Sequence, residues 1–146
     1  MRVLIQRVIE AHVKVQDEIV GEIEKGLLLF LGIHKEDHEE SISYFVEKVT
    51  SLRIFEDEEG KMNRSVQDVG GELLVVSQFT LYGDCKGGRR PSFVEAMPSS
   101  LALPLYESFI KKCQEVMGEE KVKTGSFGAQ MAVHLINDGP ATFLIP

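Results

Sequence analysis

The sequence predicts an α+β domain in which a mostly antiparallel, barrel-like sheet packs against two helices. Short apolar runs bounded by Gly, Asp and Asn recur along the chain, which is typical of strands joined by turns. Two longer segments repeat apolar residues at intervals of three and four, which is the period of a helix with one buried face. No repeat or linker divides the 146 residues, so residues 1–146 are expected to form one domain.

The first part of the chain is predicted to contain three strands. Residues 2–15 alternate imperfectly between apolar and polar side chains, so we expect an opening strand that bends or breaks near Glu10. A hairpin turn at residues 16–18 is expected to lead into a second strand at residues 19–23. The unbroken apolar run that begins at Leu27 predicts a buried third strand over residues 27–33.

The first helix is predicted to begin after Asp37, whose side chain suits an N-cap, with Glu40 as its capping-box partner. The apolar positions that follow lie three or four residues apart and define one buried face: Ile42, Phe45, Val46, Val49 and Leu52. A short strand is then expected at residues 53–55, followed by a charged loop at residues 56–64.

Residues 98–104 are predicted to introduce a second helix. Pro104 is expected in its first turn, because a proline deeper in a helix removes a backbone hydrogen bond. The buried face is expected to consist of Leu105, Phe109, Cys113 and Val116. Gly118 is expected to cap the C-terminus of this helix.

The strand that begins at Glu72 carries the candidate site. Its apolar residues 73–76 predict a buried strand, which is expected to run on to a turn at residues 83–84. Three hydrogen-bonding side chains fall within four residues where the apolar run ends: Ser77, Gln78 and Thr80. A rigid strand would hold such groups still, which favours a functional site, whereas the alternative is a strand that runs out into solvent.

The last part of the chain is predicted to form two strands, at residues 130–136 and 142–145. Residues 137–140 between them read Asn-Asp-Gly-Pro, which favours a tight turn with unusual backbone angles.

Composition limits the classes of function. The apolar fraction of 43% and the charged fraction of 27% are typical of a globular domain. No apolar run approaches the roughly 20 residues that cross a membrane, and the N-terminus lacks the features of a signal peptide. Two cysteines are too few for a disulfide framework, and free thiols suit a reducing compartment. We therefore expect a cytoplasmic protein with no membrane partner.

The net charge of −7 disfavours extensive contact with nucleic acid, because Lys and Arg contacts to phosphate usually dominate such affinity. It favours a small substrate or a limited RNA footprint, such as a single-stranded end. The basic groups nearest the candidate site are Lys86, Arg89 and Arg90, in a Gly-containing loop after the central strand.

A metal site receives little support from the sequence. The four histidines show no metal-ligand spacing and the two cysteines do not pair at one, so no metal or other cofactor is expected. His34 and His38 are expected on the surface. His134 shares a strand face with the apolar Ala132 and Ile136, so a core position is expected for it.

A side-chain nucleophile receives little support either. Ser77 or Thr80 could attack an ester, but each would need a base within hydrogen-bond reach, and the sequence points to none. The thiol of Cys85, beside Lys86, is a further alternative that lacks a histidine partner, and Cys113 is expected to be a core thiol.

Four ordered motifs resemble the D-aminoacyl-tRNA deacylases, enzymes that hydrolyse the ester between a D-amino acid and tRNA. The motifs read Ser-Gln-Phe-Thr-Leu at 77–81, Arg-Pro-Ser-Phe at 90–93, Gly-Ser-Phe-Gly-Ala at 125–129 and Asn-Asp-Gly-Pro at 137–140. The resemblance extends over essentially the whole chain. It departs at Ala141, where the family usually has Val, and this loses a little apolar bulk beside the last motif.

The resemblance implies catalytic roles for Ser77, Gln78, Phe79 and Thr80. Backbone N–H groups around Phe79 and Thr80 would stabilise the oxyanion, while Ser77 and Gln78 would hold the loop and the terminal adenosine. The 2′-hydroxyl of the terminal ribose would assist the attack of water, and positioning would supply most of the catalysis. Thr80 is interpreted as a pocket residue first and as a nucleophile second.

The resemblance also implies a means of chiral selection. Gly139 and Pro140 are similar to a Gly-cis-Pro motif that enters the pocket of a partner subunit and excludes L side chains with main-chain atoms. The protein would then be a homodimer with composite sites, and glycyl-tRNA would be a second substrate because glycine has no side chain to exclude. The alternative is a plain Asp-Gly-Pro turn. The other residues expected to bind substrate are Asn137, Met131, Phe127 and Arg90.

Two further functions stay open from the sequence. A non-catalytic dimeric module that binds an RNA end or a small ligand would account for the missing base. A thiol enzyme that uses Cys85 is the third interpretation. On the first interpretation the partner is the aminoacyl-tRNA acceptor end, which the basic loop of residues 86–90 would contact.

Overall fold

Six strands form one mixed sheet, a two-stranded hairpin lies beside it, and two helices complete the fold. The computed structural model describes residues 1–146, and neither helix is long and apolar enough to cross a membrane. The elements in chain order are β1 (Arg2–Val15), β2 (Glu18–Ile23), β3 (Gly26–Gly32), α1 (Glu39–Ser51), β4 (Phe55–Glu56), β5 (Met62–Arg64), β6 (Glu72–Ser77), α2 (Ser99–Met117), β7 (Val122–Thr124) and β8 (Ala132–Ile145).

The sheet combines antiparallel and parallel pairs. Strand β1 is antiparallel to β2, β3 and β8, whereas β6 is parallel to both of its neighbours, β3 and β7. Each parallel pair is connected through a helix, α1 between β3 and β6 and α2 between β6 and β7, as parallel neighbours require a long crossover. The predicted α+β class is confirmed, but the predicted dominance of antiparallel pairing is not.

The sheet curls into a nearly closed barrel, because β2 at one end approaches β7 at the other. Gly21 in β2 allows this approach. A Cβ atom added there would lie 2.1 Å from the carbonyl oxygen of Thr124 in β7, so any larger residue would force the two strands apart.

The central strands are buried on both faces. Leu27, Leu29 and Leu31 of β3 join a core beneath the two helices, together with Leu73 and Val75 of β6. The residues between them face a second core inside the barrel, which consists of Val8, Ala11, Val13, Ile23, Leu28, Leu74 and Val76. Two-sided burial explains why β3 and β6 read as unbroken apolar runs, and it confirms the strands predicted there.

Strand β1 is one continuous strand of 14 residues, so it does not break near Glu10, although its ladder with β8 is irregular between Val8 and Glu10. Pairing with β8 on one edge and with β2 and β3 on the other holds it extended throughout. The predicted hairpin that follows is confirmed, and Gln16 and Asp17 form its turn with φ angles of 50° and 65°.

Strand β8 is also continuous, so the tight turn predicted at residues 137–140 is wrong. Both halves of β8 pair with β1, and the ladder is interrupted rather than reversed. Thr142 pairs with Gln6 and Asn137 pairs with Val8, so the four residues 138–141 lie opposite Arg7 alone. These four residues form an enlarged bulge, which we call the Gly-Pro bulge.

Helix α1 begins one residue later than predicted. Its N-cap is His38, whose backbone N–H donates to the hydroxyl of Ser41 at 3.5 Å, in place of the predicted pair Asp37 and Glu40. The carboxylate of Asp37 instead accepts the backbone N–H of His34 at 2.7 Å. Four residues of the predicted apolar face are buried, Ile42, Phe45, Val46 and Val49, whereas Leu52 follows the helix as its C-cap and is only partly buried.

Helix α2 departs from the prediction in two ways. Pro104 lies in its interior, at the sixth residue, rather than in its first turn. The buried face consists of Ala102, Tyr106, Phe109 and Cys113, so Leu105 is only partly buried and Val116 is 48% exposed. The predicted cap is confirmed, as Gly118 follows the helix with a φ angle of 97°.

The segment after α1 forms a small hairpin of β4 and β5 where a strand at residues 53–55 and a loop were predicted. The side chain of Asp57 holds its turn, accepting the backbone N–H groups of Glu59 and Lys61 at 2.8 and 3.0 Å. A hydrogen bond from the side chain of Asn63, and after it these two backbone bonds, keep the pKa of the Asp57 carboxyl below its usual value.

Replacing Pro104 with Ala should stabilise the protein, because Pro104 is exposed and removes one backbone hydrogen bond from the interior of α2. We expect the free energy of unfolding to rise by about 1–3 kcal/mol in urea denaturation. The matched control Glu107→Ala, at an exposed position of the same helix, should change it by less than about 0.5 kcal/mol. An unchanged or lower stability of Pro104→Ala would show that the helix accommodates the proline without cost.

Candidate functional site

Strand β6 ends at Ser77, where its neighbours also end. The last pair of the β3–β6 ladder joins Leu31 to Ser77, and β7 reaches only as far as Val75. The final ladder bond runs from the N–H of Gln78 to the carbonyl of Leu31 at 2.8 Å. Because no partner strand continues, the chain turns into a short 3₁₀ helix, Phe79–Tyr82, and the strand predicted to reach residue 83 is too long.

Two backbone N–H groups of this turn are not used by the turn itself. Its hydrogen bonds include those from the N–H of Leu81 to the carbonyl of Gln78 and from the N–H of Gly83 to the carbonyl of Thr80, at 3.2 and 2.9 Å. The N–H groups of Phe79 and Thr80 lie at the start of the turn, where no carbonyl of the turn accepts them. The side chain of Gln78 donates from Nε2 to the hydroxyl oxygen of Thr80, which fixes both side chains.

A cavity of about 720 Å³ opens beside the 3₁₀ turn. This volume is in the range of small-ligand sites. Its wall is mostly apolar and is formed by the ends of β3 and β6, the start of α2 and the segment before β8. Among the lining residues are five predicted from the sequence: Ser77, Gln78, Phe79, Phe127 and Met131.

The other five predicted residues do not line this cavity: Thr80, Arg90, Asn137, Gly139 and Pro140. Thr80 is exposed on the turn and Arg90 is exposed on the loop that follows it. The remaining three belong to β8, at the Gly-Pro bulge or beside it. The structure therefore divides the predicted residues among the pocket, the exposed turn and loop that follow β6, and a separate bulge.

Two exposed aromatic rings form the rim of the pocket. Phe79 packs edge-to-face against Phe93 with ring centroids 5.2 Å apart, although Phe79 is 57% exposed. Gly83 makes this contact possible, because a Cβ atom there would lie 3.0 Å from Cε1 of Phe93. The rim is thus an apolar surface open to a ligand.

The floor of the pocket rests on Tyr106 of α2. Its ring packs against Phe127 at 5.2 Å, and its hydroxyl donates to the carbonyl of Val75 at 3.1 Å. Burial raises the pKa of Tyr106 to about 12, so the phenol is neutral near pH 7 and serves as a hydrogen-bond donor. Tyr106 supports the pocket and was not predicted from the sequence.

The Gly-Pro bulge is anchored on its inner side and open on its outer side. The peptide bond between Gly139 and Pro140 is cis, and both residues are exposed. The Asn137 side chain donates from Nδ2 to the carbonyls of Arg7 and Ala141, at 3.0 and 3.3 Å. A Cβ atom on Gly139 would lie 3.0 Å from Oδ1 of Asn137, so glycine suits this position.

Arg7 is the second anchor of the bulge. It is only 4% exposed, and its Nε group contacts both the carbonyl oxygen and the carboxylate of Asp138, at 3.2 and 3.1 Å. Its Nη1 group donates to the carbonyl of Ile54 at 2.7 Å. The sequence contained a signal, because Arg7 falls in the same alternation as the buried Val3 and Ile5, where an apolar residue would be expected.

The alternative chemistries gain no support from the side-chain positions. No cluster of three or more potential metal ligands is present. The predicted core position of His134 is wrong, since the residue is exposed and its ring stacks on that of His12 at 4.5 Å. The exposed sulfur of Cys85 contacts the carbonyl of Gly83 at 3.9 Å and no histidine. Cys113 is a core thiol as predicted, and burial raises its pKa to about 12.

Comparison with known proteins identifies the class to which this chain belongs. The family model for D-Tyr-tRNA(Tyr) deacylase matches residues 4–146. A protein of Clostridium tetani named D-aminoacyl-tRNA deacylase is 57% identical over 145 residues, which cover 99% of this chain and 96% of that protein. A protein of the same name from Thermosipho africanus is 55% identical with the same coverage.

Solved structures agree with this fold. One described as c-Myc DNA Unwinding Element Binding Protein superposes with a TM-score of 0.95 at 41% identity, over 100% of this chain and 98% of that one. Another, described as a probable eukaryotic D-amino acid tRNA deacylase, has a TM-score of 0.86 at 20% identity, over 99% and 97%, which shows the fold alone.

The chain belongs to the D-Tyr-tRNA(Tyr) deacylase family. It is therefore an enzyme, a hydrolase that acts on ester bonds, and the family predicted from the four motifs is confirmed.

Replacing Arg7 with Lys should loosen the bulge and destabilise the protein. A lysine ammonium cannot reproduce the guanidinium fork that joins Ile54 to Asp138, so at least one buried carbonyl loses its donor. We expect the free energy of unfolding to fall by about 1–3 kcal/mol. The control Arg53→Lys replaces an exposed arginine that has no polar partner, and urea denaturation should barely distinguish it from the parent. Equal stabilities of the two variants would rule out an anchoring role for Arg7.

Proposed function

We propose that this protein hydrolyses the ester bond of D-aminoacyl-tRNA, releasing a free D-amino acid and tRNA. The observation that carries the proposal is the pocket at the end of β6. It brings Ser77, Gln78 and Phe79 of one motif together with Phe127 of another, in a chain that belongs to a deacylase family. The relatives from Clostridium tetani and Thermosipho africanus carry the name of the same activity.

The shape and lining of the pocket suit the terminal adenosine and its aminoacyl group. The cavity of about 720 Å³ offers an apolar wall and an aromatic rim formed by Phe79 and Phe93. Aromatic side chains are common partners for an unstacked base at an RNA end. Ser77 and Gln78 supply the polar groups that would fix its orientation.

We propose that water, rather than a side chain, attacks the ester. The water oxygen bonds to the carbonyl carbon, the tetrahedral intermediate collapses, and the C–O bond to the ribose breaks. The proton lost by the water passes to the departing ribose oxygen, with the neighbouring 2′-hydroxyl assisting. The backbone N–H groups of Phe79 and Thr80 would receive the developing oxyanion, since the turn does not use them.

Thr80 fits a positioning role better than that of a nucleophile. Its hydroxyl oxygen accepts a hydrogen bond from Gln78, and it makes no hydrogen bond to a histidine or a carboxylate that could take its proton. Gln78 and Thr80 would together hold the main chain at the oxyanion position, so that little reorganisation accompanies the reaction.

We further propose that the protein works as a homodimer in which Gly139 and Pro140 of one copy enter the pocket of the other. Two facts support this. Both residues are exposed, and neither lines the pocket of its own chain. The anchors from Asn137 and Arg7 would hold the bulge firmly enough to exclude an L side chain with main-chain atoms. Glycine has no side chain to exclude, so glycyl-tRNA would also be hydrolysed.

The loop after the 3₁₀ turn would contact the RNA backbone. Lys86, Arg89 and Arg90 are exposed there, next to the pocket rim at Phe93. The net charge of −7 restricts such contacts, so we propose that only the acceptor end is bound and not the body of the tRNA.

The decisive experiment compares one tRNA charged in parallel with D-tyrosine, L-tyrosine and glycine, at catalytic enzyme concentration. We expect rapid loss of the D-tyrosyl and glycyl esters and no loss of the L-tyrosyl ester beyond the rate without enzyme. Binding without turnover of any ester would favour a non-catalytic module for RNA ends. Equal loss of the D- and L-esters would retain the hydrolase and remove the chiral role of the bulge.

A hybrid dimer tests whether the bulge acts across subunits. One subunit carries Gln78→Ala and Phe79→Ala in its pocket, and the other carries Pro140→Ala in its bulge, with two different affinity tags for isolation. If the bulge crosses, the intact pocket receives an intact bulge and the hybrid stays selective for the D-ester. If each bulge serves its own pocket, the hybrid hydrolyses the L-ester as the Pro140→Ala homodimer does.

A further inference from the structure

The outer wall of the pocket is a segment with almost no regular structure. Residues 83–98, which we call the wall segment, connect the 3₁₀ turn to α2 and supply Phe93, Ala96 and Met97 to the pocket. A bridge between Asp84 and Ser92 closes it upon itself. Its main chain meets the rest of the fold at Lys35, whose N–H donates to Glu95, and at Ile33, whose carbonyl accepts from Met97, both at 3.0 Å.

His34 stands at this junction and holds the side chain of Glu95. Its Nε2 lies 2.8 Å from one carboxylate oxygen of Glu95, and the ammonium of Lys35 lies 3.0 Å from the other. The Nδ1 atom accepts the N–H of Glu36 at 3.1 Å, so the neutral ring carries its proton on Nε2 and donates it to Glu95. Lys35, and then His34, hold the pKa of Glu95 below its usual value, so the carboxylate is ionised near pH 7.

The same imidazole packs against the 3₁₀ turn. Its ring lies 5.2 Å from that of Tyr82, which is only 8% exposed. Arg2 holds the turn as well, with its guanidinium 4.6 Å from the Tyr82 ring centroid and a hydrogen bond of 2.9 Å to the carbonyl of Leu81. Burial first, and the charge of Asp37 second, raise the pKa of Tyr82 to about 12, so the ring that His34 contacts is neutral.

We infer that His34 is a positioning residue that sets the spacing between the two sides of the pocket mouth. Through Tyr82 it contacts the turn that carries Gln78 and Phe79, and through Glu95 it holds the wall segment that carries Phe93. We call the contacts of His34 with Tyr82 and Glu95 the link. The edge-to-face contact of Phe79 with Phe93 then depends on this link, whose three residues do not line the pocket. This inference rests on the proposed hydrolysis for its catalytic consequence, whereas the link itself does not depend on the reaction.

The link should matter more for rate than for stability. The side chain of Glu95 is 50% exposed and that of Lys35 is 41% exposed, and exposed ion pairs add little to stability. Catalysis by positioning is far more sensitive, because a displacement of about 1 Å can reduce a rate about a hundredfold. Substitution of a residue that only stabilised the fold would lower the free energy of unfolding and leave kcat nearly unchanged.

The test is a double-mutant cycle of His34→Ala and Glu95→Ala, assayed with D-tyrosyl-tRNA at a temperature where all variants are folded. We expect each single variant to lower kcat about tenfold with less than about a threefold change in KM. The double variant should be at most about twofold slower than either single variant, because both substitutions break the same link. His34→Gln, which keeps a donor toward Glu95, should recover part of the rate.

The matched control is His38→Ala. His38 also pairs with a carboxylate, that of Glu40 at 2.8 Å, but its side chain is 68% exposed and it does not line the pocket. It should leave kcat unchanged. An unchanged kcat in His34→Ala, additive losses in the double variant, or an equal loss in His38→Ala would each overturn the inference.

Amide hydrogen exchange separates the failure of this inference from failure of the proposed reaction. In His34→Ala, exchange should accelerate both at Leu81 in the 3₁₀ turn and at Met97 in the wall segment, whose N–H groups bond to Gln78 and Ile33. Acceleration in only one of the two would show that His34 does not join them. If the parent protein hydrolyses no ester, the proposed function fails, and the exchange result still decides the role of His34.

Discussion

The two-sided burial of β3 and β6 is the constraint on which the rest of the structure depends. Their side chains alternate between the core beneath the helices and the core inside the barrel, so neither strand carries a polar side chain between its two ends. Polar side chains return at Ser77, in the last pair of the ladder, and at Gln78, just past its end. The pocket lies where both cores stop, and α2, the wall segment and β8 are arranged around that point.

Local patterns predicted those elements whose structure is decided locally. The apolar face of α1, the first hairpin and the buried runs of β3 and β6 follow from side-chain periodicity and turn chemistry. Pairing between distant segments decided the rest. The continuity of β8 comes from β1, which pairs with it on both sides of the bulge, and no property of residues 137–140 alone shows this. Pro104 is tolerated inside α2 because tertiary packing of that helix outweighs one missing hydrogen bond.

The candidate site was partly predictable for the same reason. Ser77, Gln78 and Phe79 form a contiguous motif, so their common location could be expected from the sequence. Arg7 and His34 could not be assigned, because their partners lie 131 and 61 residues away along the chain. Only the fold places these partners together. Each residue nevertheless stands out in the sequence, because Arg7 takes a place in the alternation of the buried Val3 and Ile5, and His34 directly follows the apolar run that ends at Ile33.

The length of the Gly-Pro bulge can change without a change in the register of β8, the strand that carries it. A change of one residue elsewhere in β8 would move every following side chain to the opposite face of the sheet. Residues 138–141 lie outside the ladder, so one residue could be inserted or deleted there while Asn137 and Thr142 kept their partners. Evolution can therefore vary the reach of this segment without rebuilding the barrel, and libraries that vary loop length are best placed there.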